Sequence, residues 1–403
     1  MPVREFRMPL SGEPLDFTFN GRTVRGYKSD SIATALARDG VKSFSRSMKF
    51  HRPRGLYCGS GRCISCVMRV NGVPGVRTCR VPLEQGMIVQ TERGFPSTRF
   101  DILSVFDSVF RRQFDYHSRF IRPTFMTPFY QHVVRHLASS SRMPDSSGAF
   151  PALERKSCEV LIIGRGISGS VAQARIQKGG VRSLIIADRQ VGDVSAPPST
   201  AFGFYESGEV GIQVGSGLKL VKARSILLAM GRAETGLSIV NGDIPGNMLP
   251  EAIHQLTSRG ISPGARAVLV GTNELRERVR RQLEAVHSSI VAEVQDASSV
   301  VQVLGGRAVR GIEYSEGRTS KTVRCDLVIQ LGPLVPAVEL AQQAGCGLRS
   351  SGSFWTVRVD AEGRTSVPGV YACGGITGLI REDERIASGE AVALSMLRSR
   401  GGP

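Results

Sequence analysis

Four of the chain's eight cysteines fall between Cys58 and Cys79, spaced Cys58-x4-Cys63-x2-Cys66-x12-Cys79 in "CGSGRCISCVMRVNGVPGVRTC". Thiols at that density pair as disulfides or hold metal. The C-x4-C-x2-C run lets three thiolates converge on an iron pair, with backbone N–H groups turned towards the sulfurs and a fourth cysteine arriving from a following strand. It is the plant-type [2Fe–2S] spacing. Gly59 and Gly61 suit a loop that must curl without Cβ clashes. The alternative is a structural zinc held by all four cysteines. Such sites bring paired C-x2-C knuckles from two loops, and here there is one such pair and a C-x4 step. "MPVREFRMPLSGEPLD" has no apolar secretory segment, so the expected location is the cytoplasm, where structural disulfides are rare.

A second constellation is Gly164-Arg165-Gly166-Ile167-Ser168-Gly169, which follows the apolar run "EVLII" and opens a helical pattern, with Asp188 19 residues after Gly169. In a dinucleotide-binding unit the first glycine makes the turn, the second admits a pyrophosphate and the third packs helix on strand. The helix N-terminus favours phosphate, and the acid binds a ribose hydroxyl. Arg165 departs from a loop of small residues and brings charge for a phosphate. The alternative is a unit of this fold that has lost its ligand. After "AVLV" a second such unit begins with Gly271, Thr272, Asn273, Glu274, Leu275 and Arg276, where only the first glycine survives. Glu274 puts negative charge where a pyrophosphate belongs, so this reads as a scaffold with a lost or weakened nicotinamide site.

These residues need elements to hold them. "LDFTFNGRTVRGY" alternates around Asn20-Gly21, a strong hairpin signal. Ser29 or Asp30 then caps a helix that stops at Gly40. A hairpin, a helix and a cysteine loop predict a β-grasp, ferredoxin-like domain over about residues 1–95. Residues 96–156 read as a Phe/Tyr-rich connector followed by the linker "ASSSRMPDSSGAFP". From 157 to 403 strands and helices alternate, which predicts a parallel, doubly wound α/β sheet, with the degenerate second unit inserted at about 262–330.

The chain of 403 residues carries 52 Lys and Arg against 35 Asp and Glu, a net charge of +17. The basic residues are spread along it, no nucleic-acid module is recognisable and aromatics are 6%, so anionic cofactors and an acidic partner subunit explain the charge better than nucleic acid. No apolar run approaches bilayer length. No Ser/His/Asp set, carboxylate pair or nucleophile signature is present, so no catalytic residue is assigned.

The segments "RSMKFHRPRGLYCGSGRCISC", "YHSRFIRPTFMTP", "VLIIGRGISGS", "AFGFYESGEVGI", "ARSILLAMGRAE", "DLVIQLG" and "RTSVPGVYACGGITG" resemble, over nearly the whole chain, the α subunits of heteromeric sarcosine oxidase. They also resemble the related subunits of dye-linked proline dehydrogenases, opine or hydroxyproline oxidases, and hydrogen cyanide synthase. The resemblance implies an N-terminal [2Fe–2S] ferredoxin-like domain followed by a shortened nucleotide-binding domain of the pyridine-nucleotide-disulfide-oxidoreductase type. It implies Cys58, Cys63, Cys66 and Cys79 as cluster ligands, and a dinucleotide (FAD, NAD or another adenine nucleotide) at Gly164, Gly166, Gly169 and Asp188. It implies a partner flavoprotein β subunit that oxidises a secondary amine or amino acid, a small additional subunit, and FMN near the subunit interface. Two departures stand out. Between Asp188 and "AFGFYE" only "RQVGDVSAPPST" remains of a longer stretch. The closing strand ends Cys373-Gly374-Gly375 where the family has Cys-Gly-Asp, so the usual contact to a flavin ribityl chain is missing, while an AMP moiety would still fit.

Other residues carry less. Cys158, Cys325, Cys346 and Cys373 are apolar-flanked and read as core thiols. His51 either touches a phosphate, tunes the cluster or is structural. Lys49, Arg52 and Arg54 bind a flavin phosphate or the partner, or form a solvated face. Trp355 reads as a packing residue. Two rivals remain: a self-contained NAD(P)H:acceptor reductase, which needs a working second site, and a structural subunit with a vestigial nucleotide domain.

Overall fold

In the computed structural model the described residues are 12–47, 51–92, 97–98, 101, 152–187, 199–215 and 217–399. Asp188, Lys49 and most of the 96–156 connector lie outside them. The chain divides into two compact units, Met1–Ser147 with Glu234–Pro333, and Gly148–Ala233 with Leu334–Pro403. The expected second dinucleotide unit thus groups with the cysteine-bearing segment.

The first unit opens with strands Pro14–Phe19 and Arg22–Tyr27, antiparallel, with Phe19 opposite Arg22. Asn20 and Gly21 both take positive φ (48° and 82°), the backbone that a two-residue hairpin turn demands. Strand Ile88–Gln90 lies parallel to Pro14–Phe19 and antiparallel to Val67–Val70, and Val73–Arg77 completes five strands. Helix Ile32–Arg38 buries Ile32, Ala33, Ala35 and Leu36. Its cap is Ser31, neither Ser29 nor Asp30. Ser31 Oγ accepts from Thr34 N–H at 3.2 Å, and Thr34 Oγ1 accepts from Ser31 N–H at 2.9 Å, a reciprocal box. Asp30 is instead committed to an ion pair with Arg38.

Within the same unit a parallel sheet runs in the order Asn247–Met248, Leu327–Leu331, Arg266–Gly271, Ser289–Val294, with a three-stranded antiparallel sheet beside it in sequence over Val300–Val323. Along Arg266–Gly271, Ala267 and Leu269 join the core that holds Phe17, Leu36 and Met68, while Val268 and Val270 enter a second core with Ile244 and Ile312. A strand buried on both faces reads as a continuous apolar run, which is why "AVLV" stands out. Each fully buried Leu or Ile here contributes about 1.5–3 kcal/mol.

The second unit centres on Gly217–Leu228. Leu153–Ile163 runs parallel along one edge, with Ser183–Ile186 beyond it. On the other edge Glu209–Val214 pairs antiparallel with residues 217–222, and Val370–Ala372 pairs parallel with residues 226–228. Val160 and Ile162 pack under helices Ile167–Lys178 and Glu382–Arg398, and Leu161 and Ile163 face the opposite core. Trp355, expected in the packing, is 56% exposed on the hairpin of Leu348–Ser351 and Phe354–Val357.

Candidate functional site

The cysteine loop leaves strand Pro53–Arg54 and returns into Val67–Val70. Cys79 sits just after strand Val73–Arg77. The four sulfurs are linked by hydrogen bonds: Cys58 to Cys63 and Cys79, and Cys66 to Cys79. All four are free thiols. Hydrogen bonds from Cys63, then Cys79, hold the Cys58 thiol well below its ordinary range, and one from Cys79 lowers Cys66. The donors Cys63 and Cys79 are pushed up by the same contacts. Further donors converge: Cys63 N–H and the Ser60 hydroxyl on Cys58, Ser65 N–H on Cys63, and Cys79 N–H on Cys66, while the Thr78 hydroxyl donates to Cys66 O at 2.7 Å. The four thiols form one linked chain, Cys63 to Cys58 to Cys79 to Cys66, and their C-x4-C-x2-C spacing with a fourth cysteine suits a two-iron cluster.

The loop is held from below. Gly59 (φ +65°) lies against helix Pro250–Thr257 so closely that a Cβ would stand 2.7 Å from Ala252 Cα. Gln255 Nε2 donates to Gly59 O at 2.5 Å, and Leu249 N–H donates to Tyr57 O at 2.9 Å. The Tyr57 hydroxyl donates to Gln330 Oε1 at 3.0 Å, and burial pushes its pKa up to about 12, with Cys63 and Cys58 adding to the shift. Gln330 is fully buried. Its Oε1 also accepts from Leu237 N–H at 2.9 Å, and its Nε2 donates to Gly242 O at 2.8 Å. Gln330 was not singled out from sequence, and a lone Gln in the strand "DLVIQLG" was the available signal.

Beside the loop lies a cavity of about 1130 Å³ lined by Cys63, Ile64, Tyr57, several arginines and residues 237–243. Arg52 and Arg54 both pair with Asp243, and Arg52 also donates to Asn241 Oδ1 at 2.7 Å. Both are therefore ion-paired cations at a partly exposed face. His51 takes φ +48°, with its Nδ1 2.9 Å from Asp101 Oδ2. Arg46 Nε stands 3.6 Å from the same carboxylate oxygen.

In the second unit Gly164 takes φ +110°, where a Cβ would be 2.2 Å from Ala229 O, and a Cβ on Gly169 would be 2.0 Å from Gly164 O. Gly166 caps helix Ile167–Lys178 and faces open space, with nothing within 4 Å of a Cβ. So the outer two glycines are demanded by packing and the middle one leaves room for a ligand. Arg165 is half-buried, Ile167 lies at the exposed start of the helix, and the Ser168 hydroxyl donates to Arg385 O at 2.8 Å. Gly374 opens the short turn Gly374–Thr377, its N–H reaching Ser388 Oγ at 3.2 Å, and a Cβ on Gly375 would meet Arg232 Cγ at 3.1 Å. Burial raises the thiols of Cys158, Cys325, Cys346 and Cys373. Cys325 reaches about 11 and Cys373 about 12. Cys158 is half-buried and the other three are buried.

After Gly271 the second dinucleotide-type turn is closed by its own side chains. Asn273 Oδ1 accepts from Leu275 N–H at 2.9 Å, and its Nδ2 donates to Gly332 O at 2.7 Å. Glu293, at the end of the next strand, is paired with both Arg276 and Arg280.

The description of a 2Fe-2S iron-sulfur cluster binding domain matches residues 12–94. Hydrogen cyanide synthase subunit HcnA of Pseudomonas aeruginosa is 30% identical over 93 residues, 23% of this chain and 85% of that one. The sarcosine oxidase subunit alpha of Rhizobium meliloti is 25% identical over 460 residues, covering 93% of this chain and 46% of the relative. The chain belongs to the family that includes these hydrogen cyanide synthase and sarcosine oxidase subunits. It spans less than half the length of the sarcosine oxidase subunit it matches. The crystal structure of L-proline dehydrogenase from P. horikoshii shares the fold, with TM-score 0.73, 17% identity, and coverage of 98% of this chain and 75% of that one. The chain thus has an N-terminal 2Fe-2S ferredoxin-like domain and, beyond it, a strand-rich α/β fold. Among the described residues no helix is long and apolar enough to cross a membrane.

Proposed function

We propose that the chain is the electron-transferring subunit of a flavin-dependent amine or amino-acid dehydrogenase or oxidase. The observation that carries this reading is the linked set of Cys58, Cys63, Cys66 and Cys79 inside the matched 2Fe-2S domain. These four thiols would hold the cluster, giving up their protons to it. When bound, a [2Fe–2S] cluster supplies one-electron transfer, which flavin chemistry on a partner subunit complements. The N–H and hydroxyl donors around Cys58, Cys63 and Cys66 stabilise negative sulfur and so favour the loaded state.

In this reading Gly164, Gly166 and Gly169, with Arg165, Ile167 and Ser168 at the helix start, receive the phosphates of an adenine nucleotide, and Asp188 takes a ribose hydroxyl. Gly374 and Gly375 flank the same ligand. The glycine loop accommodates the adenine moiety of FAD, NAD or a simpler nucleotide, and an FMN would lie where the partner flavoprotein meets this chain. The substrate-oxidising residues belong to the partner flavoprotein. The turn closed by Asn273 disfavours a self-contained NAD(P)H reductase.

The test is anaerobic purification with any co-purifying subunit, followed by visible spectroscopy and assay of iron, zinc and acid-released nucleotide. A plant-type cluster predicts about two irons per chain together with a bound nucleotide. Zinc without iron, and no nucleotide, overturns the reading and leaves a structural subunit.

A further inference from the structure

Cys63 is the one member of the thiol set that is not buried. The next residue, Ile64, is 55% exposed, and Val240, across the same cavity, is 56% exposed. Four arginines line this cavity, Arg46, Arg52, Arg54 and Arg62, and among the described residues its only carboxylate is Asp243. That carboxylate is shared between Arg52 and Arg54, and Arg46 also faces Asp101. The lining therefore keeps an excess of positive charge around two uncovered apolar side chains at the exposed edge of the site.

We infer that this face docks an acidic protein carrying a one-electron centre, an inference that rests on reading the four cysteines as cluster ligands. Small apolar contacts ringed by charge of one sign suit brief redox encounters, which bury little area and rely on electrostatic steering. A small anion would satisfy the arginines yet leave Ile64 and Val240 in water, whereas a protein surface covers both. Asp243 fixes the directions of Arg52 and Arg54 in advance, so little side-chain entropy is lost on docking.

The test is calorimetric titration of the anaerobically purified protein, with any partner that accompanies it, using an acidic plant-type ferredoxin as probe and basic cytochrome c as control. Binding of the ferredoxin alone, weakening about tenfold or more between low salt and roughly 0.3 M NaCl, is expected. Val240→Glu, outside the cysteine loop, should weaken it about tenfold with iron content and visible spectrum unchanged. Equal affinity for both probes, indifference to salt, or full affinity in Val240→Glu overturns the docking surface. So does a complex that binds no ferredoxin although its chains hold iron, because the partner subunit then covers this face. An iron-free protein overturns the parent reading itself, and the spectrum of the same sample separates that failure from the others.

Discussion

The Tyr57 hydroxyl donates to Gln330 Oε1 at 3.0 Å, joining two residues 273 positions apart and tying the cysteine loop to the centre of the parallel sheet in the same unit. The two partners are not equivalent. Tyr57→Phe removes one hydrogen bond but leaves Gln330 Oε1 accepting from Leu237 N–H, so a loss of about 1 kcal/mol is expected. Gln330→Leu strands the Tyr57 hydroxyl, Leu237 N–H and Gly242 O together, and the cost should be at least twice as large. Urea unfolding of both variants checks the order, and equal costs would show that the network does not depend on Gln330.

Gly59 is constrained twice, by its positive φ of 65° and by Ala252 Cα at 2.7 Å from any added Cβ. Gly59→Ala must therefore move the loop or the helix Pro250–Thr257. A loss of about 2–4 kcal/mol is expected, with less iron retained per chain. Thermal unfolding and iron assay on the same preparation measure both effects. Unchanged stability with full iron would mean that the loop is not seated on the helix.

The glycine loop of the second unit separates packing from ligand binding. A Cβ on Gly169 would lie 2.0 Å from Gly164 O, while Gly166 has open space. Gly169→Ala should lower the unfolding midpoint and the soluble yield. Gly166→Ala should leave stability within about 1 kcal/mol, since only local backbone preference changes, yet reduce the nucleotide that co-purifies. Mass spectrometry of acid-released nucleotide is the readout. Retention of nucleotide by Gly166→Ala at the wild-type level would place the ligand elsewhere.

What the sequence disclosed, it disclosed through local signals. Asn20-Gly21 marks a two-residue turn because both positions need positive φ, and the cysteine and glycine spacings are loop geometries written in consecutive residues. The partners that seat those loops are distant in sequence: Gln330 for Tyr57, Gln255 for Gly59, and Asp243 for Arg52 and Arg54. None has a local pattern, because each contact exists only once the chain has closed. The helix cap fell on Ser31 because the choice among Ser29, Asp30 and Ser31 depends on Asp30 being taken by Arg38 and Arg259. Trp355 read as core from its type alone, and hairpin geometry places it outside.

Cys373 gives the unit bearing the glycine loop a pH signature. It is 1% exposed, and burial pushes its thiol up to about 12 from the model-peptide value of 9.0. The unfolded thiol therefore ionises before the folded one. Below pH 9 both states are protonated and the group adds no pH dependence. Between pH 9 and about 12 the unfolded state loses a proton that the folded state keeps, so stability falls as pH rises. The full extent is on the order of 4 kcal/mol. Cys373→Ala should cost about 1–2 kcal/mol at pH 7 through the lost sulfur contacts, but it should unfold less steeply with rising pH. Urea midpoints for both proteins from pH 7 to 11 give the comparison, with the gap between them closing and then reversing as pH rises. A gap that stays constant would mean that this thiol is not held neutral by its surroundings.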